Sequence, residues 1–328
     1  MPTLTLAEAE DLATRALERC RTSPENACIV ARALVAAQAD GLAGHGLARL
    51  PTYGAQARVA KVDGFAKPTA TQPRAGTALV DAAHGFAYPA LALAEKLLPE
   101  MARACGIACA AITRSHHCGA AGHPVERLAE AGFVALMFAN TPGAIAPWGG
   151  ATALFGTNPI AFACPVAGGA PIVVDLSLSK AARGNILAAK QKGEPIPPGW
   201  ALDAAGHPTT DPGAALTGTM LPLGDAKGAA LALMVELLAA GIPGANYAAE
   251  ASSFLDAQGP PPGTGQLIIA FDATAFGSAA ERFARLAAAV TAQPGARLPG
   301  SRRIAAREKA RRDGITVSDA LLSEISAL

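Results

Sequence analysis

Two side chains with complementary chemistry lie four residues apart in the polar segment Asp40–Gly64: a histidine, His45, and an arginine, Arg49. Imidazole titrates near neutral pH and can pass a proton to or from a substrate oxygen, whereas guanidinium can hold a carboxylate in a bidentate pair. A helix that begins near His45 would direct both side chains from one face. The spacing predicts proton transfer on a carboxylate-bearing substrate, but a polar loop with solvated His and Arg explains it equally well.

The segment Ser115–His123, SHHCGAAGH, lies between a predicted strand and a predicted helix. Loops in that position bind anionic ligands, because free backbone N–H groups and the helix dipole favour phosphate. We therefore expect a cradle for a cofactor diphosphate. Zinc is an alternative, although adjacent ligands without CxxC or HxxxH spacing do not match a tetrahedral site, and the histidines could also be purely structural. Zinc ligands would come from His116, His117, Cys118 and His123.

Three further polar features are ambiguous. Asp175 ends the apolar run PIVVDLS, where it could orient and charge a histidine or cap the next turn through Ser177. Lys227, in GDAKG, could touch a phosphate or lie on the surface in the first turn of a helix. The basic segment Gly300–Arg312 has no interleaved aromatic residues, which is typical of a solvated helix face rather than a nucleic-acid site.

Strands must hold these loops in place. From Gly106 onward, short apolar runs rich in Val, Ile and Phe are bounded by Gly, Pro and Asn, as strands followed by loops are. The runs are GIACAAITRS, GFVALMFAN, PIAFACP and PIVVDLS. Because they are almost continuously apolar, we expect strands that are covered on both faces.

Helices are predicted on both sides of this region. Thr5 and Glu8 have the spacing of a capping box, and Ser23 before a proline matches an N-cap followed by the first helical position. Gly41 should end the second helix. Further helices are predicted over 124–130, over 225–240 with Asp225 as N-cap, and over 281–328 with breaks at two prolines and one glycine.

The composition restricts the class of protein. Of 328 residues, 51% are hydrophobic and 16% are charged, against about 25% charged in an average soluble domain, so a dominant disordered state is excluded. The net charge of +1 gives no field to attract nucleic acid or an anionic membrane, so we expect a small-molecule partner. A surface poor in charge favours a homo-oligomer. The N-terminus lacks a signal peptide's basic region and the six cysteines are dispersed, so a cytoplasmic location is expected.

Seven motifs, taken together, resemble the type-2 malate/L-lactate dehydrogenase family over most of the chain. They are GHGLARLPTY, SHHCGAAGH, NTPGAIAPWGG, FGTNPIAFACP, VVDLSLSKAARG, IPPGWALDAAGHPTTDP and MLPLGDAKGAALALMVELL. The resemblance implies a homodimer with an α/β (α+β) fold and a non-Rossmann NAD(P)-binding domain with flanking helices, which explains why the chain has no GxGxxG. We expect an N-terminal helical, substrate and dimerisation segment (1–75), an NAD(P)-binding and catalytic region (76–280) and a C-terminal helical segment packing back on the first (281–328).

The resemblance also implies roles for individual residues. His45 matches the family's catalytic histidine, Arg49 the arginine that meets the substrate carboxylate, and Asp175 the acid that supports the histidine. The cofactor, NAD or NADP with a lean to NADPH, would be bound by residues at motif positions along the central region. These are His117, Gly119, Thr157, Asn158, Asp175, Leu176, Ser177 and Lys227.

Two departures from the family pattern affect the substrate. Gly44 stands where the family usually has a serine before the catalytic histidine, and His116 and Cys118 replace the usual Asn and aromatic residue beside the nicotinamide. The implied activity is hydride transfer between nicotinamide and C2 of a small 2-oxo or 2-hydroxy carboxylate of the malate, lactate or sulfolactate type. The alternatives are reduction of cyclic 2-imino acids, such as Δ1-pyrroline-2-carboxylate and Δ1-piperideine-2-carboxylate, and a binding protein that has lost catalysis.

Overall fold

Helices and strands are interspersed along residues 2–328, the part of the chain that the computed structural model describes. The helices are α1 (Leu6–Arg19), α2 (Pro24–Ala39), α3 (Leu50–Arg58), α4 (Ala87–Cys105), α5 (Gly122–Glu130), α6 (Arg183–Lys192), α7 (Pro212–Thr217), α8 (Ala226–Glu236), α9 (Ala279–Thr291), α10 (Ser301–Asp313) and α11 (Asp319–Ser326). The strands are β1 (Thr3–Leu4), β2 (Thr69–Arg74), β3 (Thr77–Asp81), β4 (Ile107–Ser115), β5 (Phe133–Ala139), β6 (Ile160–Val166), β7 (Gly169–Leu176), β8 (Ala201–Leu202), β9 (Pro208–Thr209), β10 (Thr219–Met220), β11 (Thr264–Asp272) and β12 (Ile315–Thr316).

A mixed sheet with the strand order β2-β3-β4-β11-β5-β6-β7 forms the centre of the protein. Its neighbouring strands pair antiparallel, except β3 with β4, which are parallel and connected through α4. The four apolar runs predicted as strands are β4 to β7. The predicted α/β (α+β) class is confirmed.

Both faces of the central strands are covered, as the apolar runs predicted, whereas β2 is exposed and β7 has only Val173 buried. On β11, Ile268 lies in the core that includes α4 and α5, together with Ile112 of β4. The preceding residue, Leu267, lies in the opposite core with Phe138 of β5 and Val235 of α8. Alternate residues of one strand thus enter two cores, which fixes the register of the sheet and the positions of the loops at its ends.

Local signals define the first two helices as predicted. The Thr5 hydroxyl accepts from the Glu8 N–H at 3.2 Å and the Glu8 carboxylate accepts from the Thr5 N–H at 2.8 Å, a complete capping box. Ser23 Oγ accepts from the Asn26 N–H at 3.3 Å and caps α2. Gly41 follows α2 with φ of 78°, a conformation that glycine adopts without a Cβ penalty.

The C-terminal helices pack against the N-terminal ones. β1 pairs with β12, and Ala310 of α10 and Ile325 of α11 are buried in one core with Leu17 of α1 and Leu34 of α2. The predicted helices over 281–328 are confirmed as α9, α10 and α11. The predicted domain boundaries stay predictions.

The basic segment of α10 is partly buried, so the prediction of a solvated helix face is wrong for two of its arginines. Arg303 is only 9% exposed. Arg307 donates to Asp40 Oδ1 at 2.7 Å and to Glu126 Oε2 at 2.8 Å. Asp40 and Glu126 are themselves buried, and buried carboxylates need cationic partners. These arginines therefore join α10 to α2 and α5.

The helix predicted to begin near His45 begins later. His45 ends one 3₁₀ turn, Ala43–His45, and a second turn, Leu47–Arg49, precedes α3. Pro51 explains the delay, because proline fits the first turn of a helix but removes a hydrogen bond from its interior. His45 and Arg49 consequently lie on two consecutive tight turns instead of one helix face.

The helix predicted over 225–240 also differs in detail. α8 ends at Glu236 and continues as a π turn, Leu237–Gly241. Asp225 precedes α8 with φ of 58° and makes no side-chain cap hydrogen bond, so the N-cap prediction is wrong for its side chain. Within residues 2–328, α8 and the other helices are each too short or too polar to cross a membrane.

Candidate active site

Arg49 presents an unpaired guanidinium end beside His45. Its Nε donates to the Gly44 carbonyl at 2.7 Å, which fixes the side chain, and no acceptor among residues 2–328 pairs with its terminal nitrogens. Both side chains are half-buried. A Cβ at Gly44 would meet no atom within 4 Å, so the place of the family's usual serine is open space. The terminal nitrogens of Arg49 are therefore available for an anion.

The imidazole rings of His45 and His117 stack, with centroids 5.5 Å apart and planes inclined by 21°. Nδ1 of His117 lies 2.6 Å from the Tyr53 hydroxyl, which lies 3.3 Å from the Tyr88 hydroxyl. Burial raises the pKa of Tyr53 to about 12 and that of Tyr88 well above its usual value, so both phenols keep their protons. When Tyr53 donates to Nδ1, the ring proton of His117 resides on Nε2.

Burial and positive charge keep the histidines of the site neutral. Burial, together with the charges of Arg49 and His123, lowers the pKa of His45 to about 4. Burial lowers the pKa of His116 to about 3, with Lys61 and Arg49 as additional causes, and it lowers that of His117 well below the usual range. A neutral imidazole can accept a proton from a substrate hydroxyl.

The loop Ser115–His123 leaves backbone donors without partners. The N–H groups of Gly119 and Ala120 are in a buried segment, and no acceptor among residues 2–328 pairs with them. Gly119 has φ of +69°, and a Cβ there would lie 2.5 Å from the Tyr88 hydroxyl oxygen, so only glycine fits. Unpaired buried N–H groups on a glycine loop before a helix suit an anionic group such as a cofactor phosphate.

Two of the four residues predicted as alternative zinc ligands, His117 and His123, have other partners in this arrangement. His123 Nε2 lies 2.9 Å from Asp40 Oδ2, and His117 bonds through Nδ1 to Tyr53. Burial raises the pKa of the Cys118 thiol to about 12, whereas zinc binds the thiolate. Three or more His, Cys, Asp or Glu side chains arranged to hold a metal ion do not occur within residues 2–328.

Asp175 lies at the end of β7 and faces the start of α5. Its Oδ2 accepts from the Gly122 N–H at 2.7 Å, and a Cβ at Gly122 would come within 2.8 Å of Arg303 Nη1 and 3.0 Å of Asp175 Oδ2. Within residues 2–328 no hydrogen bond joins Asp175 to His45, nor does Asp175 cap a turn through Ser177. The structure brings Asp175 to the predicted cofactor loop, and its support of His45 stays a prediction.

Two of the other predicted cofactor residues meet at one point. The Ser177 hydroxyl donates a hydrogen bond of 3.4 Å to the Thr157 carbonyl oxygen, and the Thr157 N–H donates to Thr141 Oγ1 at 2.9 Å. Leu176 is 37% exposed and follows Asp175 directly. These residues line the edge of the sheet at the end of β7, and their cofactor contacts stay predictions.

The remaining two predicted cofactor residues lie in different surroundings. Asn158 is fully buried, and its Nδ2 donates to the Ala232 carbonyl at 2.9 Å and to Glu236 Oε2 at 2.7 Å, so its amide is used inside the protein. Lys227 is exposed in the first turn of α8. Their cofactor contacts likewise stay predictions.

Sequence reasoning missed three aromatic residues of this site. Tyr53 and Tyr88 form the hydroxyl chain to His117, and the Phe254 ring lies 5.2 Å from the His116 ring and 5.3 Å from the His117 ring, between centroids. A signal existed for Tyr53, which ends the motif GHGLARLPTY four residues after Arg49. Tyr88 and Phe254 reach the site only through the tertiary fold, and no local pattern marks them.

Comparison with known proteins gives consistent matches over almost the whole chain. The sequence profile of the malate/L-lactate dehydrogenase family matches residues 4–326. The chain is 51% identical over 326 residues to a (2R)-3-sulfolactate dehydrogenase (NADP(+)) of Chromohalobacter salexigens, covering 99% of this chain and 97% of that protein. It is 42% identical over 331 residues to a Δ1-pyrroline-2-carboxylate/Δ1-piperideine-2-carboxylate reductase of Pseudomonas aeruginosa, covering 99% and 98%.

The fold is similarly matched among solved structures. The crystal structure of Δ1-piperideine-2-carboxylate reductase from Pseudomonas syringae superimposes with a TM-score of 0.94 at 40% identity, covering 100% of this chain and 99% of that one. A sulfolactate dehydrogenase from Methanocaldococcus jannaschii superimposes with a TM-score of 0.89 at 28% identity, covering 99% and 96%. The same backbone arrangement therefore occurs in proteins named for two different substrate classes.

Proposed function

The chain belongs to the malate/L-lactate dehydrogenase family, and from that premise we propose that it transfers a hydride between a nicotinamide cofactor and C2 of a small 2-oxo or 2-hydroxy carboxylate. The observation that carries this proposal is the free guanidinium end of Arg49 beside the stacked rings of His45 and His117. A carboxylate bound by Arg49 would bring its neighbouring carbon within reach of an imidazole.

We assign the residues the following roles. Arg49 holds the substrate carboxylate, and His45 accepts the hydroxyl proton during oxidation or returns it during reduction. Tyr53 fixes the orientation of His117, on which His45 stacks. Asp175 and Gly119 shape the loop that takes the cofactor phosphate. The nicotinamide, when bound, supplies or takes the hydride.

NADP is the proposed cofactor, and 3-sulfolactate with its oxidised form, sulfopyruvate, is the proposed substrate pair. The support is the 51% identity to a protein named as an NADP-dependent (2R)-3-sulfolactate dehydrogenase. The chemistry agrees, because an anionic substrate beside Arg49 reduces the positive charge that lowers the pKa of His45 and so favours the protonated imidazole needed for reduction.

Reduction of cyclic 2-imino acids is the second candidate. Two observations favour it: the TM-score of 0.94 with a Δ1-piperideine-2-carboxylate reductase, and the open space at Gly44, where no hydroxyl is present to support a carbonyl oxygen. A protonated cyclic imine brings its own proton and depends less on His45.

A substrate screen tests the proposed function. NADPH and NADH oxidation should be followed with pyruvate, oxaloacetate, sulfopyruvate, Δ1-pyrroline-2-carboxylate and Δ1-piperideine-2-carboxylate. We expect the highest kcat/KM with NADPH and sulfopyruvate. A highest kcat/KM with a cyclic imine would establish the second candidate instead. Binding of NADPH without turnover of any of these compounds would indicate a binding protein that has lost catalysis.

We further propose that the enzyme is a homodimer in the cytoplasm. Large apolar side chains on the outer side of α8 and in the following segment are exposed, including Leu233 at 45%, Leu237 at 51% and Ile242 at 60%, and a second copy of the chain would cover them. All six cysteines are free thiols, which agrees with a reducing compartment. Light scattering after size-exclusion chromatography should give twice the mass of the chain, and a monomer would contradict the dimer.

A further inference from the structure

Lys61 places an ammonium group inside the protein against the loop that precedes β11. The Lys61 side chain is completely buried. Its Nζ donates to the carbonyl oxygens of Ser253 at 2.7 Å, Asp256 at 3.1 Å and Gln258 at 2.5 Å. An ammonium group has three donors and no acceptor, so these three carbonyls match its donors, and Asp256 Oδ1 lies 3.3 Å from the same nitrogen. The turn Ser253–Gln258 thus surrounds the ammonium group of Lys61.

Helix α3 and the residues that directly follow it anchor this turn. Gln56, in α3, donates through Nε2 to the carbonyl oxygens of Phe254 at 3.2 Å and Asp256 at 2.9 Å. Lys61 follows α3 after Ala60, which has φ of 59° and turns the chain inward. The same helix carries Tyr53, and Arg49 directly precedes it. The turn is therefore fixed to the element that presents the substrate-binding arginine.

The Ser253–Gln258 turn delivers one buried side chain to the active site. Phe254 packs against the His116 and His117 rings at centroid distances of 5.2 Å and 5.3 Å. Neither ring nitrogen of His116 has a hydrogen-bond partner within residues 2–328, so packing holds that ring. Its other aromatic contacts are Tyr53 at 5.5 Å and Phe86 at 6.1 Å. Without Phe254 the His116 ring loses the contact with the shortest centroid distance.

We propose that Lys61 is a positioning residue for the reaction: its ammonium fixes the Ser253–Gln258 turn so that Phe254 holds the His116 and His117 rings at the substrate site. Removal of the ammonium leaves three carbonyl oxygens converging on an empty space, and their mutual repulsion opens the turn. Lys61 is completely buried with its ammonium bonded inside this turn, so it acts through the turn and not on the reacting atoms. The inference rests on the proposed function only for the choice of substrate in the kinetic arms of its test.

The first arm compares Lys61→Met with Lys67→Met, in which an exposed lysine is replaced in the same way. A displaced His117 would misalign the His45 ring stacked on it, which costs rate more than binding, whereas Arg49 is fixed separately by the Gly44 carbonyl. We therefore expect Lys61→Met to lower kcat by about 10-fold or more with KM changed by less than about 3-fold. Lys67→Met should match the wild type. A wild-type kcat in Lys61→Met, or a change in KM alone, would overturn the proposal.

The second arm is a double-mutant cycle with Phe254→Leu. If Lys61 acts through Phe254, Lys61→Met should lower kcat much less in the Phe254→Leu background than in the wild type. A purely structural lysine would give additive losses. Additivity of the two kcat effects would therefore contradict the assignment.

The third arm replaces the cation chemically. Lys61→Ala should gain thermal stability and recover kcat in methylammonium chloride, but not in tetramethylammonium chloride, which has no N–H to donate to the carbonyl oxygens. If Lys61→Ala does not fold by itself, methylammonium added from expression onward allows the same measurements. Stabilisation without recovery of kcat would refute positioning, and no stabilisation would refute the cation site. A wild type inactive on all substrates would refute the proposed function alone, since the thermal readout needs no substrate.

Discussion

The Tyr53 hydroxyl lies 2.6 Å from Nδ1 of His117, and the His117 ring stacks on that of His45. A phenol from α3 thereby sets the orientation of an imidazole at the end of β4. The arrangement orders one ring of the stacked pair without a carboxylate, whereas the family resemblance assigned the support of His45 to Asp175. In this structure Asp175 instead accepts from the Gly122 N–H.

Tyr53→Phe removes this hydroxyl and leaves the aromatic packing intact. A neutral hydrogen bond contributes about 1 kcal/mol, so we expect kcat to fall by about 5- to 10-fold with little change in the unfolding temperature. Steady-state kinetics and thermal unfolding measure the two effects. Tyr88→Phe serves as the control: it removes the longer bond, 3.3 Å, and should reduce kcat less. Equal losses in both variants would contradict the assigned roles.

Arg49→Ala should raise KM and lower kcat together, because a misplaced carboxylate loses both binding and alignment. We expect kcat/KM to fall by at least about 100-fold, as for loss of a charged hydrogen-bonded pair. Arg74→Ala, at an exposed position of β2, is the matched control and should behave as the wild type. An unchanged KM in Arg49→Ala would mean that another group holds the carboxylate.

The pH profile follows from the lowered pKa of His45, about 4 in the free enzyme. Oxidation requires the neutral ring, which is present above that pKa and is lost as pH falls through it. At saturating NADP⁺, kcat/KM for oxidation should stay constant through neutral pH and fall only in acid. The midpoint for kcat should be higher, because a bound carboxylate offsets the charge of Arg49. A kcat/KM midpoint at the ordinary value of 6.5 would be inconsistent with the desolvation that lowers the pKa of His45.

A comparison of two glycines with positive φ distinguishes the cost of backbone strain from the cost of a steric clash. A Cβ at Gly119 would lie 2.5 Å from the Tyr88 hydroxyl oxygen, whereas a Cβ at Gly149, with φ of 86°, would meet nothing within 4 Å. Gly119→Ala should therefore destabilise the fold by about 1–3 kcal/mol more than Gly149→Ala and raise the KM for NADPH. Equal unfolding temperatures in the two variants would show that the loop relaxes without cost.

Local sequence signals predicted the parts of the fold that local physics determines. The capping box of Thr5 and Glu8 and the N-cap Ser23 are side chains that bond to backbone within three residues. The apolar runs predicted β4 to β7 because a strand's burial pattern is also contained in a short stretch of sequence. The place of β11 between β4 and β5 depends on pairing across the whole chain, which periodicity does not encode.

The same distinction applies to the site. His45 and Arg49 could be proposed from the sequence because their spacing is local, but the helix considered for them does not form because Pro51 shifts the start of α3. Phe254 and Lys61 were not predicted, because their contacts join the Ser253–Gln258 turn to residues that are distant in the sequence. The burial of Arg303 was not predicted, because its partners Asp40 and Glu126 belong to other parts of the chain and the sequence of α10 does not reveal them.

The central claim is that His45 exchanges the proton of a 2-oxo or 2-hydroxy acid held by Arg49. It is tested most directly by NADPH oxidation with sulfopyruvate and with Δ1-pyrroline-2-carboxylate in wild type and His45→Ala. General acid–base catalysis contributes about 10²–10⁴-fold, so sulfopyruvate reduction should fall by that factor, the imine should suffer less, and the variant should stay folded. A wild-type kcat for sulfopyruvate in His45→Ala would remove His45 from the mechanism.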